Sequence, residues 1–382
     1  MKAFKKILKS CFVPLTILNK LIKKAPNRVF FYSNLGFRDN VRALYDYMIQ
    51  NGYNHDLKIT VATDEFKSFI DCAPENVKFV GLKSGIFAFL RSKYCFYSFG
   101  KYPIKPASSQ CVVNLWHGMP LKAIGRLEKG CEREDQNFFT YVIATSPFFK
   151  SVMCEAFGAG ENQAIITPQP RCDVFLKDTK APEFFKGFNK VVLWLPTFMS
   201  SKRLGKTDGS YEEINPFEES FLNKLCPILK KENILLFIKP HPMDDTPLPS
   251  NTFENIRIAD ESELSSNGIN LHKLLKHSDA LITDFSSIYF DYLLLDKPIA
   301  FAGPDEVSYR ESRGYAFDDI ESLMPGAKIK TTEQFIDFLS EISKGEDSTC
   351  EKRRQCNDIC NQYKNISGCK LILEKIGLKS EE

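Results

Sequence analysis

Short continuous apolar runs separated by longer amphipathic stretches recur along most of this chain. In the first half the runs fall at 29–32, 58–62, 77–80, 94–98, 112–116, 142–145 and 164–167. Strands covered on both faces by crossover helices read this way, because neither face needs to be polar. Helices are expected between them, for example over 39–50, stopped by Gly52, and over 147–157, stopped by Gly158. After the Lys- and Pro-containing stretch 177–182, a second series of runs follows at 191–195, 234–238, 255–258, 280–283 and 299–302. Its helices are expected over 216–231, 270–276 and 287–295, with a charged helical tail over 331–343 and 350–376.

Two successive α/β series predict two doubly wound, Rossmann-like domains, over residues 26–182 and 183–382, with a ligand cleft between them. The chain length of 382 agrees, since single cores stop growing at roughly 250–300 residues. Neither half carries a G-x-G-x-x-G or Walker lysine loop, so dinucleotide and P-loop chemistry have no support.

Charge changes the picture at one end only. Residues 1–38 hold nine Lys or Arg and no acid, whereas the remaining 344 carry 42 basic against 48 acidic groups. The body therefore gives no reason to expect nucleic-acid binding. The arm, residues 1–25, mixes Phe4, Ile7, Leu8, Phe12 and Leu15 with lysines and is too interrupted to span a bilayer. It reads as a basic amphipathic helix that lies on an anionic membrane surface, or else as a solvated helix packed on the body. The twelve cysteines are scattered through apolar segments without a CxxC pair, which suits buried thiols in a reducing cytosol. Cys356 and Cys360 would share a helix face.

Candidate chemistry clusters where strands end. Of five histidines, His117 and His241 each directly follow a strand pattern or its terminal residues, one in each half. Ligands in open α/β sheets bind outside the carboxyl ends of strands. In Trp116-His117-Gly118-Met119-Pro120, Gly118 permits a tight turn, and a histidine there suits a general base or else satisfies buried carbonyls. In Lys239-Pro240-His241-Pro242, two prolines fix the histidine beside a lysine, which favours an anionic group or is a rigid loop. Ser286 and Ser287, after Thr283 and Asp284, stand at an expected helix start, where hydroxyls and free amides suit a diphosphate or a plain N-cap. Arg171 is a phosphate or acceptor contact, or a partner of Asp173, and Thr197 ends another strand at the same cleft. His272 and His277 read as surface residues and His55 as a turn residue.

The joint order of Trp-His-Gly-x-Pro-Leu-Lys (116–122), Pro-Arg-x-Asp (170–173), Pro-Thr-Phe (196–198), Lys-Pro-His-Pro (239–242) and Thr-Asp-Phe-Ser-Ser (283–287) is specific. It resembles the CDP-glycerol glycerophosphotransferase family of teichoic-acid and capsule assembly, with likeness from Ser33–Asn40 through Arg313–Asp318 to 330–333. The resemblance implies a GT-B architecture and attack of an acceptor hydroxyl on the β-phosphorus of CDP-glycerol or CDP-ribitol, expelling CMP. His117 would be the acceptor-side base. His241 would stabilise the donor diphosphate with Ser286, Ser287, Thr283 and Lys239. Gly118, Arg171, Asp173, Thr197, Asp284, Asp291 and Arg313 are further cleft candidates. No metal and no cofactor besides the donor is expected. The acceptor would be a polyprenyl-linked saccharide or polymer, met on the cytoplasmic face of the membrane. Where the family usually reads Gly-x-Pro-Arg-Asn-Asp, this chain has Gln169 and Cys172, and it lacks the long extra region of polymerising members. That shortness suits a primase-like or single-addition enzyme, or a compact capsule-type transferase. A GT-B glycosyltransferase using a nucleotide sugar and a non-catalytic membrane scaffold are the alternatives.

Overall fold

A computed structural model describes residues 12–197, 200–201, 206–207, 213–242, 244–249, 253–303 and 314–379. They form two compact units, one of residues 1–119, 130–176 and 362–382, the other of residues 120–129 and 177–361.

The first unit is built on strands β1 (Ala25–Ser33), β2 (Lys58–Thr63), β3 (Val77–Val80), β4 (Ser92–Tyr97), β5 (Cys111–Asn114), β6 (Tyr141–Ala144) and β7 (Ala164–Ile166). All are parallel, in the order β3-β2-β1-β4-β5-β6-β7. The order reverses between β1 and β4, the position where doubly wound sheets open a crevice. Val29, Phe31 and Phe96 face helix Asp39–Gln50, whose Val41, Leu44, Tyr45 and Met48 complete one core. Phe31 stacks on Phe96 at 5.1 Å between ring centroids, a geometry that fixes register as well as burying area.

The second unit repeats the design with β8 (Lys190–Leu195), β11 (Ile234–Ile238), β12 (Ile256–Ile258), β13 (Ala280–Thr283), β14 (Ile299–Ala302) and β15 (Ala327–Ile329). The parallel order is β12-β11-β8-β13-β14-β15, with its reversal between β8 and β13. Two two-residue strands, β9 (Ser200–Ser201) and β10 (Lys206–Thr207), pair separately and antiparallel. Trp194, Leu236, Ile282 and Ala300 pack under helices Glu219–Glu232 and Thr332–Lys344, and the latter begins with a Thr331/Gln334 capping box. The expected architecture of two Rossmann-like parallel α/β units is therefore present.

The units depart from the expected boundaries. Helix Gly368–Lys375, expected to close the second domain, belongs to the first unit, and residues 120–129 belong to the second, where Lys122 bridges Tyr315. The tail is two helices, Cys350–Cys360 and Gly368–Lys375. Asn361 leaves the helical conformation between them and bonds the Phe290 carbonyl through its side chain. β15 had no place in the expected strand series. Its apolar content is two of three residues, too short to register as a run.

The arm yields helix Val13–Leu21; its residues 1–11 lie outside the described ones. Buried Asn19 fixes the helix, donating to the Lys105 carbonyl at 3.0 Å and to Gln110 Oε1 at 2.9 Å. Lys24 Nζ is buried beside it, donating to Asn19 and to the Leu90 carbonyl, and burial lowers its pKa. Val13, Ile17, Leu18 and Leu21 remain exposed. Among the described residues no helix is long and apolar enough to cross a membrane.

Candidate functional site

In the first unit the chain leaves β5 at Asn114 and turns sharply through Leu115-Trp116-His117-Gly118. Trp116 has φ +48° and Gly118 φ +127°. A left-handed tryptophan is uncommon and costs on the order of 1–3 kcal/mol unless its surroundings enforce it. They do. Trp116 N–H donates to Asn114 Oδ1 (3.0 Å), and its ring packs edge-on to Phe157 at 4.9 Å. Asn40 Nδ2 donates to the carbonyls of Leu115 (3.1 Å) and Trp116 (3.0 Å), and Arg171 Nη1 donates to that of His117 (3.0 Å).

The His117 ring lies between Phe99 (4.8 Å, stacked) and Trp116 (4.1 Å). Burial among these rings pushes its pKa below the usual histidine value. Asp39 opposes that shift, Arg171 reinforces it, and the Ser98 backbone opposes it. The imidazole is thus neutral at pH 7 and able to accept a proton.

Arg171 does not pair with Asp173. Its guanidinium meets Asp39 Oδ2 at 2.9 Å, both groups largely buried, and Asp39 itself sits at φ +63°. Asp173 instead caps helix Gly368–Lys375, its carboxylate accepting from Ser367 Oγ (2.5 Å), Gly368 N (2.6 Å) and Cys369 N (3.2 Å). That commits both oxygens to structure and removes Asp173 from the candidate site. Gln169 is buried and accepts from Asn40 Nδ2 at 3.0 Å.

In the second unit the loops after β8 and β13 meet at the switch point. Asp284 is buried, and its Oδ2 accepts from Thr197 N (2.6 Å) and Thr197 Oγ1 (2.7 Å). Gly303 makes room for it, since a Cβ there would lie 2.7 Å from Asp284 Cβ. Thr283 spends its hydroxyl proton on the Leu195 carbonyl (2.8 Å), so it is a strand tie rather than a free donor for phosphate. Ser286 and Ser287 are half-buried at the start of helix Ile288–Tyr292. Ser287 makes no capping bond, and Ser286 Oγ receives only a 3.5 Å contact from Ile288 N, so plain capping does not explain the pair.

Lys239 is buried and bonds Glu261 Oε2 at 2.8 Å, so its charge is already matched and serves the loop rather than an incoming anion. His241 is half-buried, and its carbonyl receives Asp244 N at 2.9 Å, closing the Lys-Pro-His-Pro turn. Asp291 is buried against His272 Nε2 at 2.9 Å, which makes His272 an internal residue rather than a surface one. His277 is partnered by Thr179 at 2.9 Å, and His55 is exposed. Arg313 lies outside the described residues. Cys356 and Cys360 do share a buried helix face, with sulfurs 3.8 Å apart as free thiols. Asn40, Asp39, Phe99 and Glu261 had drawn no assigned role from the sequence, although Asp39-Asn40 stands where β1 gives way to a helix.

Residues 15–377 match the family of CDP-glycerol:poly(glycerophosphate) glycerophosphotransferases. The chain is 28% identical over 346 residues to the teichoic acid poly(ribitol-phosphate) polymerase of Bacillus spizizenii, covering 84% of this chain and 52% of that one. It is 22% identical over 377 residues to the teichoic acid glycerol-phosphate transferase of Staphylococcus aureus, covering 87% and 89%. The chain thus spans about half the length of the first relative and most of the second. A solved structure of the wall teichoic acid polymerase TagF shares the fold, with a TM-score of 0.73 at 19% identity over 97% of this chain and 92% of that one. By the match over nearly its whole length, this chain is a member of the CDP-glycerol:poly(glycerophosphate) glycerophosphotransferase family.

Proposed function

We propose that this protein transfers glycerol phosphate, or a related alditol phosphate, from a CDP-linked donor to an acceptor hydroxyl of a lipid-linked or polymeric glycan. The acceptor oxygen bonds to the donor β-phosphorus, the bond from that phosphorus to the bridging oxygen breaks, and CMP leaves. The acceptor proton passes to His117. The observation that carries this assignment is the His117 turn, where a neutral imidazole is held on a strained backbone at the carboxyl end of β5. His241 is assigned to the donor diphosphate, together with the hydroxyls of Ser286 and Ser287 near the second switch point. Such sites act chiefly by positioning and by stabilising charge on the transferring phosphoryl group.

Two sequence expectations drop out of this donor site on structural grounds. The Lys239 charge is matched by Glu261, and the Thr283 hydroxyl bonds a strand carbonyl. For the arm, we propose that Val13, Ile17, Leu18 and Leu21 rest in an anionic membrane surface on the cytoplasmic side, flanked by Lys20 and Lys23. Their exposure on a helix anchored from behind by Asn19 supports this. The test of the reaction is CMP release from CDP-glycerol or CDP-ribitol with a lipid-linked saccharide, by wild type and His117→Ala. Loss of turnover in a folded His117→Ala protein is expected; retained turnover rejects the assignment.

A further inference from the structure

We infer that Asn40 is the positioning residue that fixes the left-handed turn at Trp116 and, through it, the orientation of the His117 ring. The inference rests on the reading of His117 as proton acceptor. Three consecutive carbonyls, those of Leu115, Trp116 and His117, are held by side chains. Asn40 takes the first two and Arg171 the third. The same Asn40 amide also donates to Gln169 Oε1 at 3.0 Å, and its Oδ1 accepts from Arg171 N at 3.1 Å. One side chain therefore joins the start of helix Asp39–Gln50, the Trp116 turn and the segment Gln169–Arg171. At 0% exposure it has no water to replace a lost partner.

Only a carboxamide meets this set of demands. Nδ2 divides its two protons among three oxygens, one proton being shared by two of them, while Oδ1 accepts from an amide. A carboxylate of the same shape keeps the acceptor and turns oxygen towards three oxygens. Without the Asn40 donors, Trp116 loses two of the bonds that hold φ +48°. Its ring touches His117 at 4.1 Å, so relaxation of that backbone displaces the imidazole relative to Phe99 and the acceptor hydroxyl. The charged groups that act on His117 are Asp39 and Arg171, which join the same network through Asn40.

The test compares wild type, Asn40→Asp, Asn40→Ala and His117→Ala in the full chain, by CMP release and by 1H–13C spectra of protein carrying 13C-labelled histidine. The peak missing from His117→Ala is that of His117, and stacking against Phe99 and Trp116 gives it a ring-current shift. In Asn40→Asp the turnover number is expected to fall about 100-fold with KM little changed, as for a misplaced catalytic group. The His117 peak is expected to move while the other histidine peaks stay. Wild-type turnover and an unmoved peak in Asn40→Asp overturn the inference, because a role in mere space-filling predicts that result for an isosteric change. Turnover retained by His117→Ala overturns instead the reading of His117 as base, whatever the Asn40 spectra show. Should Asn40→Asp fail to fold, Gln169→Met removes one acceptor of the same amide. It is expected to move the His117 peak, and an unmoved peak again overturns the inference.

Discussion

The assignment of Asp173 separates a structural from a catalytic account, and its replacement has a calculable effect. The carboxylate takes the N–H groups of Gly368 and Cys369 and the Ser367 hydroxyl, while Ser367 Oγ takes Lys370 N. Asp173 and Ser367 together thus satisfy the free amides of this helix's first turn. Hydrogen bonds to a charged group contribute about 1.5–3 kcal/mol each, and a carboxylate at a helix N-terminus adds about 0.3–1 kcal/mol. The bonds are not independent, so Asp173→Ala is expected to cost about 3–5 kcal/mol and Asp173→Asn somewhat less. Detachment exposes Cys369, Ile372 and Leu373, which pack in the first unit's core. The assay is urea denaturation followed by fluorescence and circular dichroism, beside CMP release measured well below the midpoint. Asp173→Asn is expected to shift the midpoint down and to keep near-wild-type turnover while folded. An unshifted midpoint with turnover reduced by orders of magnitude would return Asp173 to the catalytic machinery and refute the capping argument.

Four further outcomes are expected. The acid limb of kcat/KM lies below pH 6.5, because burial lowers the His117 pKa and keeps the neutral base to lower pH; a limb above 6.5 contradicts this. Arg171→Gln moves that limb up and Asp39→Asn moves it down, following the sign of each charge on the imidazole; pH–rate profiles of both variants decide it. Ser286→Ala/Ser287→Ala raises KM for the CDP-linked donor by about tenfold, equivalent to about 1.4 kcal/mol, whereas Thr283→Val leaves KM near wild type. Ile17→Glu/Leu21→Glu weakens binding to anionic liposomes in flotation assays without lowering the melting temperature, since both side chains are mostly exposed. Equal binding by that variant removes the arm from the membrane account.

The sequence carried the fold well because parallel strands buried on both faces leave a local mark. Runs such as 234–238 and 280–283 coincide with β11 and β13 residue for residue. Motif histidines after strand patterns were legible for the same reason: the strand is visible and its carboxyl end follows. Contacts distant in sequence were not legible. Asp173 and its partners are separated by 194–196 residues, and no local pattern announces that the last helix returns to the first unit. Nor does spacing show that Lys239 is matched by Glu261 or that Asp291 faces His272. The strain at Trp116 was invisible because tryptophan rarely adopts a positive φ, and Asp39, of a type that does so more often, stands at an expected helix start where a negative φ is the rule. Asn40 looked like an ordinary first-turn residue of a helix; its function emerges only once the Trp116 turn and Gln169 are packed around it.

The central claim, a phosphoryl transfer that needs both motif histidines, is tested most directly by nucleotide release. Purified protein would be incubated with CDP-glycerol or CDP-ribitol and a polyprenyl-linked disaccharide. CMP and the extended acceptor would be quantified for wild type, His117→Ala and His241→Ala. The account predicts stoichiometric CMP and product from wild type with at least one alditol donor, and loss of both in each folded variant. No CMP from wild type across the donors, or wild-type rates from either variant, would contradict it.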